Sequence, residues 1–252
     1  MIKASLGLSA GFALAALMTA SPSSAQVAIE QISPTLNISQ TGSANRSVVE
    51  VSGGAHTGDI TQTGDGNQAL MISRGSGSRQ SIAQYGSDNI GVQMSVGFDN
   101  TASLTQGNAL TPGSGNLAIQ AQVGARNTAR IVQNGSNNAA AQIQTGALTF
   151  GQARAVASAL TSDLRDGRVN SRIQELAGLS GGVGNTAELT QDGDDNLAVM
   201  IQAGDHNQMD IHQIGGAANV YVQLGDGLRR SATVEQQAGV NGVTPITIIQ
   251  SR

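Results

Sequence analysis

Carboxylates and imidazoles crowd one stretch of the chain. Asp192, Asp194, Asp195, Asp205 and Asp210 lie there with His206 and His212. Paired carboxylates are the usual equipment of acid–base catalysis, but Asp192 to Asp195 fall in a tight turn signal with no cleft partner, which argues against catalysis. His206 and His212 stand six apart, one on a corner and one outward on a strand; zinc sites want three or four ligands placed together. Asp65, Asp88, Asp99, Asp194, Asp195 and Asp205 raise the question of calcium, since each lies at or near a G-x-x-N step. The calcium-binding β-roll needs a nine-residue G-G-x-G-x-D unit, and this spacing is different. These aspartates read instead as charged turn residues that restrain aggregation. Gly75-Ser76-Gly77 and Gly113-Ser114-Gly115 are corners without a following Lys, so they are not phosphate loops. No catalytic residue, cofactor or metal site is expected.

The elements that carry these residues repeat. In Asn185–Gly215, Asn185, Asn196 and Asn207 are 11 apart, as are Gln191, Gln202 and Gln213, and Gly193, Gly204 and Gly215. A fixed period with fixed residue types marks a repeat architecture. The same unit extends over residues 35–146 and 183–252. Its Asn positions include Asn45, Asn67, Asn89, Asn127, Asn138, Asn196, Asn207 and Asn219, with His56 and Ser78 as replacements. A small residue follows two positions later, as in Ala69, Ala118 and Ala187. Gln follows at six, and the Gln series comprises Gln40, Gln62, Gln84, Gln106, Gln122, Gln133, Gln144, Gln191, Gln202 and Gln213. Even spacing is the side-chain period of a strand, so Asn, Ala, an aliphatic and Gln share one face. Gly42, Gly64, Gly86, Gly124, Gly135, Gly193, Gly204 and Gly215 open the corners, where glycine accepts positive φ and Asn can bond local backbone.

Outward positions double the period. Thr128 and Arg130, Thr186 and Glu188, and Gln208 and Asp210 are polar; Leu117 and Ile119, Leu197 and Val199, and Val220 and Val222 are apolar. The expected fold is therefore an all-β, two-sheet solenoid with coils of about 22 residues, one sheet wet outside and one greasy. Coils in register stack roughly 4.8 Å apart, so about eight coils make a rod some 35–40 Å long. Gln and Asn then form amide ladders along the axis. The apolar outer face at Leu197–Val199 and Val220–Val222 is where partners are expected.

Composition agrees. Aromatic residues are 2% and charged residues 12%, with 33 Gly and no Cys or Trp, so any core is thin and unstapled by disulfides. Residues 1–25 read as a signal peptide, with Lys3, an apolar run from Leu6 to Met18, and Ser23 and Ala25 before a cut. The exported chain would then hold 12 Arg, no Lys and 17 acidic residues, a net charge of −5 that offers nucleic acid no basic footprint. Residues 26–34 read as a lead-in without periodicity. Two interruptions fall at corners: Gly107–Thr111, and an insertion at residues 147–182. In the insertion Val156, Leu160 and Leu164, then Val169, Ile173 and Leu176, have helical spacing. One or two short amphipathic helices, or a loop, are the alternatives.

The units Leu189–Gln202, Ile60–Ala69 (I-T-Q-T-G-D-G-N-Q-A) and Ile82–Asn89 (I-A-Q-Y-G-S-D-N) resemble the curlin repeat. That resemblance implies a secreted subunit of curli, the extracellular amyloid fibres of bacterial biofilms. It also implies a homopolymer with other curlin subunits, and export through an outer-membrane secretion pore with accessory proteins. The insertion and Val51, Ser73 and Ser95 in place of Gln depart from the simplest pattern. The rival expectations are a monomeric solenoid adhesin and a polysaccharide-cleaving β-helix. Arg79, Arg130, Glu188 and Asp210 disfavour an ice-binding face, and coils with two short strands leave no wide substrate groove.

Overall fold

A computed structural model describes residues 14–19, 24–30, 34–146, 181–228, 230–237 and 246–250. In chain order the strands are β1 (Leu14–Thr19), β2 (Ser24–Glu30), β3 (Thr35–Thr41), β4 (Arg46–Gly54), β5 (Thr57–Thr63), β6 (Gln68–Ser76) and β7 (Arg79–Ser87). They continue as β8 (Ile90–Phe98), β9 (Thr101–Gln106), β10 (Gly113–Ser114), β11 (Leu117–Ala125), β12 (Thr128–Asn134), β13 (Ala139–Thr145) and β14 (Gly182–Val183). The last are β15 (Thr186–Asp192), β16 (Leu197–Asp205), β17 (Gln208–Ile214), β18 (Asn219–Leu228), β19 (Ser231–Gln237) and β20 (Ile246–Gln250).

The chain winds between two parallel sheets. Sheet 1 runs β1-β3-β5-β7-β9-β12-β15-β17-β19 and sheet 2 runs β2-β4-β6-β8-β11-β13-β16-β18-β20. The expected all-β solenoid is what the chain forms. Register keeps like on like: Ile38 lies on Ile60 and Gln40 on Gln62, then Ile131 on Leu189 and Gln133 on Gln191. Both interruptions preserve it. Axial partners 22 apart elsewhere are 27 apart across the first and 58 apart across the second. The short one is an exposed loop in which the Asn108 side chain accepts from the backbone N–H of Leu110 and Thr111.

The interior is a thin slab. One column of Ile38, Ile60, Ile82, Leu104, Ile131, Leu189 and Ile211 runs down it, all at most 2% exposed. Large side chains from one sheet meet small ones from the other. A Cβ on Gly91 would stand 2.8 Å from Leu104 and 3.2 Å from the Gln84 amide. That explains the Ala two residues after most Asn: the opposing sheet's amide or aliphatic already occupies the space.

Four sequence expectations change here. Gln26–Glu30, read as part of a lead-in without periodicity, lie in β2 (Ser24–Glu30) in register with β4, and Leu14–Thr19, within the stretch expected to be a signal peptide, form β1 in register with β3. Gly182, assigned to the insertion, takes the corner-glycine place beside Gly124. Asn219 is not a ladder position: Leu197 pairs with Asn219 and Ala198 with Val220, so Ala218 stands where the other coils place Asn. Val220 and Val222 therefore point inward, 3% and 0% exposed, and Tyr221 takes the outward place. A shift of one residue exchanges the two faces of a strand. The helical expectation for the insertion lies outside the described residues.

The corners carry two special positions. Gly193, at φ 123°, is stacked so that a Cβ would lie 2.0 Å from the Gly215 carbonyl oxygen. The residue just before each Asn-column position is left-handed as well, at Ala44 (56°), Arg126 (54°), Asp195 (59°) and, before Ala218, Ala217 (58°) among others. We expect Gly193→Ala to cost more than about 3 kcal/mol, since strain and a backbone clash add. Ala217→Gly is expected to stabilise by about 1 kcal/mol by relieving left-handed strain. Denaturant midpoints of the two variants check both signs.

Candidate functional site: the amide ladders

The buried polar residues form columns along the rod. In sheet 1 the Nε2 of each Gln donates to the Oε1 of the Gln one coil further on. The chain of bonds is Gln40 to Gln62 (2.6 Å), Gln62 to Gln84 (2.8 Å), Gln84 to Gln106 (2.8 Å), Gln106 to Gln133 (2.9 Å), Gln133 to Gln191 (2.9 Å) and Gln191 to Gln213 (2.8 Å). Gln213 lies 3.5 Å from Gln236. Sheet 2 has a shorter column, Gln122 to Gln144 (3.0 Å) to Gln202 (2.8 Å).

Each amide also clamps the sheets together. The same Nε2 groups donate across the slab to backbone carbonyls: Gln62 to Arg46, Gln106 to Ile90, Gln133 to Leu117 and Gln213 to Leu197. Gln122, Gln144 and Gln202 do the same to Thr101, Thr128 and Thr186. One side chain thus satisfies an axial and a lateral bond at once, which the spacing alone did not reveal. Burying so many amides is tolerable only because they are paired.

Asn forms a column at each of the two corners, with the opposite sense. Asn45 Oδ1 accepts from the backbone N–H and the Nδ2 of Asn67, and the relation repeats from Asn67 to Asn89, Asn89 to Asn116 and Asn138 to Asn196. The other corner stacks Asn100, Asn127, Asn185 and Asn207. The Nδ2 groups donate onward to the corner glycine carbonyls, Gly64, Gly86, Gly193 and Gly215 on one side and Gly124 and Gly204 on the other. His56, replacing Asn, puts its Nε2 3.2 Å from the Gly75 carbonyl and keeps the pattern. The local bonds expected from Asn exist too, as from Asn207 to the Ala203 carbonyl.

A third Gln column occupies the middle inward place, where the repeat admits an aliphatic or Gln but where no ladder residue was named from the sequence. Gln93, Gln120 and Gln142 hold the middle inward position of sheet 2, with Gln93 donating to Gln120 (2.8 Å) and Gln120 to Gln142 (3.0 Å). The signal was there: Gln recurs at 93, 120 and 142, but four residues after the Asn position instead of six. At two places where sheet 2 lacks Gln at six, serines substitute, Ser73 with Gln80 and Ser95 with Ser78, whereas Val51 and Leu224 are apolar there. Two column heads remain unpaired: the Oε1 atoms of Gln93 and Gln122 are buried without a donor. The residues in register before them, Met71 and Ser95, do not continue the column.

The chemistry-bearing side chains do not converge. Asp65 accepts from the Ser43 backbone N–H (2.7 Å) and hydroxyl (2.6 Å), Asp194 from the Ser136 N–H (2.7 Å), and Asp205 from the Val183 N–H (2.8 Å). These carboxylates stitch one corner to the next. Asp88, Asp99 and Asp195 hold the left-handed place, as does His206. His212 Nε2 lies 3.0 Å from Asp192 on the outside of sheet 1, where Arg130 also pairs with Glu188. Among the described residues no three His, Cys, Asp or Glu side chains form a metal-sized group.

A column of glutamines, corner glycines and Asn repeating over a two-strand coil is a specific pattern, and it has a match. The curlin associated repeat family matches residues 55–89 and 182–215. Those two stretches carry curlin repeats. No curated protein gives a significant match. In 182–215 glutamine, glycine and the corner Asn all stand in the template places, whereas in 55–89 His56 and Ser78 replace the corner Asn and Ser73 replaces one glutamine while the glycines hold. The same two-strand coil continues between and beyond the matched stretches.

Two outcomes test the ladders. Gln133→Ala strands the Gln106 donor and the Gln191 acceptor together and is expected to cost about 2–4 kcal/mol, against near neutrality for exposed Thr63→Ala. Hydrogen bonds from Ser43 hold the Asp65 carboxyl below its ordinary value of 3.8. Its contribution is complete above that value and is lost as pH falls from there through the lowered folded value. Asp65→Asn is therefore expected to flatten the acid limb of a pH–stability curve.

Proposed function

We propose that this chain is a secreted subunit that stacks end to end into curli-like amyloid fibres, serving cell adhesion and the biofilm matrix. The polarity of the ladders carries the reading. In the sheet 1 column Gln62, Gln84, Gln106, Gln133 and Gln191 each donate toward the C-terminal end of the rod and accept from the N-terminal side. The Asn columns run the other way, their Oδ1 atoms facing the C-terminal end. The two ends of one rod are thus unlike and complementary, which suits head-to-tail addition, a heterologous contact that propagates without closing. Open strand edges at each end supply the backbone groups for it.

The leader fits the same reading. The Gln column begins at Gln40 in β3, and the residue in register before it is Met18 of β1. With residues 1–25 removed on export, β3 becomes the first strand of sheet 1 and offers its edge to the preceding subunit. Passage through an outer-membrane curli pore with accessory proteins, and life at the cell surface with other curlin subunits, belong to this proposal. No cofactor is invoked.

The test uses the chain from Gln26 onward, purified from denaturant and left to assemble. The expected result is a thioflavin-positive fibre with a meridional reflection near ~4.8 Å and seeded growth without a lag. A chain that stays monomeric for days, with no cross-β diffraction, overturns the fibre reading and leaves a monomeric surface solenoid.

A further inference from the structure

The two sheets gain strands in alternation, because each coil lays one strand on each. Such a chain stacks on a copy of itself without a fault only if it starts in one sheet and ends in the other. With residues 1–25 in place that condition holds: the described strands begin with β1 in sheet 1 and end with β20 in sheet 2. The fibre reading above removes those residues, and this inference rests on that reading. The cut takes the whole of β1 but only Ser24 and Ala25 of β2. The first strand left is Gln26–Glu30, in sheet 2 and in register with β4. The exported chain then starts and ends in the same sheet.

The junction between copies has two arrangements. If both end strands stay, β3 of the next copy lies two strand spacings, roughly 9.6 Å, from β19, and sheet 1 has a gap. Every subunit boundary would then hold a pair of open strand edges. If one end strand gives way, β3 settles directly on β19. Ala232, Val234 and Gln236 of one copy then meet Leu36, Ile38 and Gln40 of the next, in the phase that β17 and β19 already share. Only the second arrangement keeps both sheets continuous.

We infer that β20 gives way, and that the edge of β18 beneath it is the docking site for residues 26–30 of a second copy. Two observations choose the strand that leaves. The first is the column six residues after the Asn place. On either side of the disputed slot it is aliphatic, with Leu224 (0% exposed) on β18 and Val51 (2%) on β4. Register puts Ile29 of β2 at that place, on Val51, and puts Gln250 of β20 there, on Leu224. Ile29 completes an aliphatic column from Leu224 to Val51. A Gln set between them has no amide on either side to pair with along the axis, and an amide without partners is costly to bury. Where sheet 2 does carry Gln in this place the partner is present, as Gln202 is for Gln144. The second observation is the tether. β2 joins β3 through residues 31–34, as short as the corner at 215–218, whereas residues 238–245 separate β19 from β20. The longer connection lets β20 leave its slot without drawing β19 out of sheet 1.

This makes β20 a detachable cap. In the lone chain it pairs with Val220–Leu224 of β18, and its Ile246 and Ile248 pack, half-buried, against the interior. There it covers a sheet edge that would otherwise recruit a second copy. In the fibre the incoming β2 replaces it.

The chain has no cysteine, so a lock on the cap can be added cleanly. Gln223 and Ile249 are in register on β18 and β20, at a spacing of about 4.8 Å that a disulfide spans. The chain from Gln26 onward, carrying Gln223→Cys and Ile249→Cys, is oxidised as monomer to pin β20 in place. Seeded elongation of the locked chain is expected to be at least ~10-fold slower than that of the same chain with reductant, which frees the strand. Equal elongation of the two forms overturns the cap and leaves the fibre reading standing. A reduced chain that forms no fibre sinks the fibre reading, and the cap with it. A second route needs no cysteine: Ile246→Ser with Ile248→Ser loosens β20 and is expected to shorten the assembly lag by at least ~3-fold. An unchanged or longer lag shows that β20 keeps its place in the fibre and overturns the inference.

Discussion

Everything in this rod depends on one constraint: an amide buried between two sheets must find its hydrogen bonds. In this slab the partners come from the neighbouring coil and the facing strand. Stacking identical residues at the interstrand spacing meets the axial half of the demand, because an amide carries both a donor and an acceptor. The backbone of the opposing sheet meets the other half. The register of every coil follows, since a slip of one residue would put each Gln outside and each outward side chain within.

The same constraint explains the tolerance and intolerance of the chain. Insertions of very different length are accepted at corners, because the columns care only that the next Gln returns to its place. Corner glycines are not free to vary: they stack carbonyl on Cα, and their positive φ is combined with an approach that leaves no volume for a methyl group. Just before each Asn the backbone is also left-handed, yet Ala, Asp, Arg and His occur there. There the position faces solvent and the strain is local, so the rest of the coil can hold it.

The two sheets divide the labour. Sheet 1 carries the one glutamine column that runs from Gln40 through Gln213, and its outer face is polar. Sheet 2 mixes glutamine, methionine, serine and valine inside and turns aliphatic residues outward. A polar outer face and self-complementary ends favour growth along one axis. An apolar face, left bare, would favour growth in width as well.

Much of this was legible in the residues. The 11-residue spacing, the strand alternation within it and the doubling to 22 follow from side-chain types alone, because a period-2 pattern fixes which residues share a face. The ladder positions from Gln40 to Gln213 and the corner glycines could be named for the same reason. What the sequence could not convey was geometry across the slab: that column Gln side chains reach carbonyls of the other sheet. Nor could it place Ala218 rather than Asn219 in the Asn column. The residue name there favours Asn, but the coil is held by the glycine three residues before and by the strand beneath, and those put Asn219 outside. Spacing specifies a face only after the register is known, and register belongs to the stacked coils together.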